Sequence, residues 1–113
     1  MKNSNSYLSA CKDCYLRAIY PSDDSVKNEP EYQKLFKIAR EFFQAGKIDE
    51  FSYYLMEGQY LTNLWTAHFI LEFENISQKL KDNCYEVIKR YSESRLNEKV
   101  AKLEKNWMNE NVL

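Results

Sequence analysis

Residues 58–75 read Gly58-Gln-Tyr-Leu-Thr-Asn-Leu-Trp-Thr-Ala-His-Phe-Ile-Leu-Glu-Phe-Glu-Asn75. Wound as a helix, this stretch is apolar nearly all the way round, so other elements must cover it on most sides. One-sided helical stripes flank it, and no strand alternation competes. The pattern predicts an all-α fold of about six helices in antiparallel pairs, a stack of helix pairs or a right-handed bundle around a buried central helix.

Working outward, helix 1 is expected at about 6–19, with Tyr7, Leu8, Cys11, Cys14, Tyr15 and Ala18 as its stripe. Ser4 or Ser6 would cap it, and Pro21 would end it because proline disfavours helical geometry just before itself. Residues 21–29 are polar and acidic, a loop. Pro30 suits the first turn of helix 2. Tyr32, Leu35, Phe36, Ala39, Phe42 and Phe43 follow at helical spacing, and Gly46 closes the helix. Helix 3 is expected to start from an Asp49 cap, with Ile48 and Tyr53 as a hydrophobic staple, and to end at Gly58. Helix 4 is placed at about 60–74, helix 5 at about 78–91 from a Ser77 cap, and helix 6 at about 96–110 on Leu96, Val100, Leu103 and Trp107. Short spacers make neighbours antiparallel. Leu35, Ala39, Phe42 and Phe43 match Leu80, Cys84, Val87 and Ile88 at a constant offset of 45, a weak repeat signal.

With 113 residues, 44% of them apolar and 29% charged, one domain over 1–113 is expected. The net charge of −1 carries no footprint of nucleic-acid binding. Residues 1–75 hold 8 Lys+Arg against 11 Asp+Glu, and residues 76–113 hold 8 against 6. No apolar run approaches the roughly 20 residues of a membrane span. The N-terminal Met-Lys-Asn-Ser-Asn-Ser has no apolar signal core. Three cysteines are odd in number and too sparse for a disulfide framework, which suits a reducing cytoplasm.

Cys11-Lys-Asp-Cys14 is the nearest approach to a chemical motif. As a redox pair it would need a helix N-terminus after a strand. As a zinc half-site it would need His68 and Cys84 to complete the set. A set of Cys11, Cys14, His68 and Cys84 would all come from apolar faces, but packing as small hydrophobes accounts for the cysteines better. His68 is the one histidine, with Glu72 a turn further on, a spacing that permits acid–base work. A buried histidine with one hydrogen bond is the simpler expectation. Walker loops, dinucleotide turns and Gly-x-Ser-x-Gly motifs are absent, so no enzyme activity, cofactor or metal is expected.

The segment Tyr60-Leu-Thr-Asn-Leu-Trp-Thr-Ala-His-Phe-Ile-Leu71 resembles the second helix of a HEAT-like repeat. The resemblance extends over about 48–110 and lacks the proline and the Asp–Arg ladder of typical units. Small HEAT-like proteins include bacterial immunity proteins that neutralise secreted toxins, so the resemblance implies a non-catalytic inhibitor of a protein partner. A nuclease toxin with a basic cleft would suit carboxylates and tyrosines. Two segments are the candidates: the loop acids Asp23, Asp24, Glu29 and Glu31, and the helix 3 edge with Asp49, Glu50, Tyr53 and Glu57. A general scaffold or adaptor is the alternative, and a small zinc protein the remoter one.

Overall fold

The computed structural model describes residues 2–73 and 76–111. Those residues form six α-helices and no strand: α1 Lys2–Leu16, α2 Pro30–Gln44, α3 Ile48–Ser52, α4 Thr62–Phe73, α5 Gln78–Ser92 and α6 Glu98–Glu110. The fold is all-α, as expected. α1 packs on α2, α4 on α5, and α5 on α6. The middle pair is unequal. α3 has five residues and passes straight into a 3-10 turn at Tyr53–Met56 that packs on α4.

α4 is the central helix. Thr62, Leu64, Trp65, Thr66, Ala67, Phe69 and Ile70 are all buried, which places buried side chains on every face. The Thr66 hydroxyl is absorbed locally: Oγ1 donates to the Thr62 carbonyl at 2.7 Å and lies 2.9 Å from the Tyr7 hydroxyl. Tyr7 in turn sits among Phe42, Phe51 and Tyr54, with centroids 4.7–6.3 Å away in tilted and edge-on contacts. A second aromatic run, Tyr32–Trp65–Phe69–Phe73–Phe43, lines the α2–α4 contact. Aromatic pairs in such geometries add about 0.5–1.5 kcal/mol each beyond their buried area.

The caps decide where helices stop. Ser77 Oγ accepts from the Leu80 N–H at 3.2 Å, as expected for α5. α2 ends in a Schellman motif: Lys47 N–H bonds the Phe42 carbonyl at 2.9 Å, with Gly46 left-handed at φ 69°. α1 ends in the same motif, Ile19 N–H to the Cys14 carbonyl at 2.8 Å, but the left-handed residue is Ala18 at φ 54°. So α1 stops at Leu16, short of Pro21, and Ala18 is exposed rather than part of the stripe. Ser4 and Ser6 lie inside α1, not at its cap. Asp49 lies inside the first turn of α3, after an Lys47 N-cap. α6 starts two residues later than expected, capped by Asn97 Oδ1 on the Val100 N–H at 3.1 Å, which leaves Leu96 98% exposed. The expected end of helix 4 at residue 74 lies outside the described residues.

Gly58 does not make the turn into α4. Its φ is −85°, and Tyr60 and Leu61 carry left-handed φ of 54° and 59° instead. For L-residues that conformation costs about 1–2 kcal/mol each. Burial of Leu61, the Tyr15–Tyr60 ring contact at 5.9 Å and a bond from Asn63 N–H to the Glu57 carbonyl at 2.8 Å hold it in place.

Candidate functional site

Two places stand out: a cleft where the 20–27 loop meets α4, α5 and α6, and an exposed edge along α3 and the 53–56 turn.

The cleft has a volume of about 760 Å³. Five aromatic side chains line it: Tyr32 from α2, Trp65 and Phe69 from α4, Tyr85 from α5 and Trp107 from α6. At its base His68 Nε2 lies 2.6 Å from Glu104 Oε1 and 3.1 Å from Ser22 Oγ. The His68 side chain is 12% exposed and the Glu104 side chain wholly buried. Trp107 meets His68 edge-to-face at 4.8 Å and Tyr85 at 5.7 Å. Glu104 Oε2 is buried without a hydrogen-bond partner among the described residues. Burying a carboxylate this way is costly unless it is paired, and His68 is the pair.

A histidine between a serine and a glutamate invites comparison with a nucleophile-activating relay. In such a relay the hydroxyl and the carboxylate hold opposite ring nitrogens. Here both meet Nε2. An Nε2–H that donates to Glu104 leaves no lone pair there to take the Ser22 proton, so this geometry holds Ser22 without activating it. The expected i, i+4 partner Glu72 lines the cleft, but the histidine's carboxylate is Glu104, 36 residues away. Sequence reasoning passed over Glu104 and Ser22. One signal for Glu104 was present: it falls four residues after Val100 and three before Trp107, on the apolar stripe of α6.

The cleft also collects charge. Asp24, Glu72 and Glu110 line it against Lys27 and Lys81. Burial, and then the negative charges of Glu72 and Asp24, push the Tyr32 hydroxyl up to about 12.

The cysteines are structural. All three are buried and unbridged. Burial pushes each thiol up to about 12, the opposite of the depressed value a redox or metal-binding thiol needs. Among the described residues no three His, Cys, Asp or Glu side chains assemble as metal donors, so Cys11, Cys14, His68 and Cys84 do not converge.

The two acidic segments sit at opposite ends of α2, whose 15 residues span about 22 Å. The loop acids are occupied internally. Asp23 caps its own turn, accepting from the Ser25 N–H at 3.0 Å, and Asp24 pairs with Lys27 at 3.2 Å. Arg17 gathers Glu31 at 2.8 Å and Glu29 at 3.7 Å. The α3 edge differs. Asp49 and Glu50 are exposed and make no ion pair among the described residues. Tyr53 is 74% and Met56 86% exposed, one turn apart. Glu57 is half-buried, its Oε2 accepting from the Gln59 N–H at 3.1 Å.

No helix among the described residues is long and apolar enough to cross a membrane. Comparison with protein-family models, with curated proteins and with solved structures returns no match.

Proposed function

We propose that this chain is a non-catalytic protein-binding module, and specifically an immunity protein that binds and neutralises a cognate bacterial toxin in the cytoplasm. The observation that carries the reading is the α3 edge. Two large apolar side chains, Tyr53 and Met56, stand out in water beside Asp49 and Glu50, which make no ion pair among the described residues. Tyrosine and methionine are enriched at protein interfaces, where they supply contact area. Asp49 and Glu50 would speed encounter with a basic surface such as the phosphate-gripping cleft of a nuclease toxin. The loop acids Asp23, Asp24, Glu29 and Glu31 serve the fold first and the partner second.

The test is co-expression with the product of the adjacent gene, which this reading expects to carry a toxin domain. Protection of the cells and a one-to-one complex whose association slows as salt rises are expected. Tyr53→Ala with Asp49→Lys should weaken the complex at least about tenfold, the scale of a modest interface hot spot, while the melting temperature holds. A complex without protection would leave a general scaffold or adaptor. Failure to bind would end the immunity reading.

A further inference from the structure

The aromatic cleft is not explained by a docking edge at the other end of α2. Tyr85 and Trp107 form its accessible aromatic wall, backed by the buried Tyr32, Trp65 and Phe69, and its volume is that of a ligand pocket rather than a packing defect. Its charges are biased. Lys27 is spent on Asp24 at 3.2 Å. Among the described residues, Glu72 and Glu110 then line the cleft against Lys81, an excess of one carboxylate. Behind them the buried Glu104 has a single donor, His68 Nε2, and its second oxygen has none among the described residues. An anion entering here would meet this negative field. A strongly hydrated ammonium matches the carboxylates and the Asn106, Asn109 and Asn111 amides, but it presents no flat face to the rings. A guanidinium is planar, weakly hydrated, stacks on aromatic faces and forks to carboxylates.

We infer that the cleft between the 20–27 loop, α4 and α6 receives an arginine side chain of a protein partner, its guanidinium stacked on the Trp107–Tyr85 wall and held by Glu72. This builds on the protein-binding reading and adds a second, anchoring contact to it. The chemistry is tested without any partner, so failure of the immunity assignment leaves the outcome unaffected.

The probe is the capped amino acid Nα-acetyl-arginine amide, followed by NMR through the indole N–H signals of Trp65 and Trp107. A saturable shift at about millimolar concentration is expected, the affinity of a single side chain. The neutral isostere, Nα-acetyl-citrulline amide, should bind about three- to five-fold more weakly, the scale of one exposed ion pair. Glu72→Gln should erase that difference without changing the melting temperature, since Glu72 is exposed. Should Glu72→Gln disturb the fold, Glu110→Gln tests the same field from α6. Equal binding of arginine and citrulline amides, no saturable shift, or a preference for acetate or phosphate would each overturn the proposal. Agmatine binding with no binding of the capped arginine would overturn the protein source and make the cleft a small-amine site.

Discussion

His68 on α4 and Glu104 on α6 meet at 2.6 Å, although both helices make their main contacts with α5, which lies between them in sequence. The pair therefore links the first and third members of the α4–α5–α6 stack. Trp107, one turn beyond Glu104, adds an edge-on contact to the same imidazole. The carboxylate is wholly buried, so the link is a commitment: removing either partner strands the other away from water.

Breaking that pair should be expensive. Glu104→Ala is expected to cost about 2–5 kcal/mol, from the cavity left by the buried side chain and the imidazole left without its partner. Glu104→Gln, which keeps the shape and an acceptor, should cost less, about 1–3 kcal/mol. Urea unfolding measures both. Equal, small losses would mean that α6 is held by α5 alone.

Trp65 is 1% exposed at the centre of the aromatic run between α2 and α4. Trp65→Ala should destabilise by about 3–5 kcal/mol as a large-to-small core change. An unchanged melting temperature would contradict the central position of α4.

The matched Schellman caps allow a paired backbone experiment. Ala18→Gly should relieve left-handed strain of about 1–2 kcal/mol against a glycine entropy cost of about 0.5–1, a net gain near 0.5–1 kcal/mol. Gly46→Ala should lose about 1 kcal/mol, because a Cβ there meets nothing within 4 Å and only the backbone resists. Opposite shifts in melting temperature are the expected result; shifts of one sign would refute the common motif.

The thiols give the protein an alkaline limit. Burial raises Cys11, Cys14 and Cys84 from an ordinary 9.0 to about 12. The unfolded chain therefore ionises first, so their contribution is intact below pH 9 and is lost as pH rises toward 12. Each thiol removes about 1.4 kcal/mol per pH unit inside that window. Tyr32 adds to the same trend above pH 10, its hydroxyl raised from 10.0 to about 12. Urea melts between pH 8 and 10.5 should show the decline, and Cys84→Ala should make it shallower. A flat profile would place these thiols in water.

Local pattern made much of the fold legible. α2 and α5 were marked by Pro30, Gly46 and Ser77, each acting on its own backbone within a turn. α4 was marked by burial on all faces, a property that sequence periodicity states directly. Of the candidate contact residues, Asp49 and Glu50 could be placed at the surface from the stripe they leave, whereas Tyr53, expected to staple onto Ile48, stands 74% exposed because the helix starts from Lys47 rather than Asp49. That the loop acids would be consumed by Arg17, Lys27 and their own turn could not be read, since Arg17 reaches them from the end of another helix.

What the sequence determined alone is the helical class, the order of the helices and the burial of α4, because hydrophobic period and caps act over three or four residues. Tertiary structure decided the rest. Ala18, Tyr60 and Leu61 take left-handed conformations that their residue types disfavour, because the Ile19 N–H bond to the Cys14 carbonyl and the burial of Ile19 and Leu61 outweigh about 1–2 kcal/mol of local strain. His68 finds Glu104 rather than its helical neighbour Glu72, because only the stacking of α6 beside α4 removes that carboxylate from water and obliges it to take a partner.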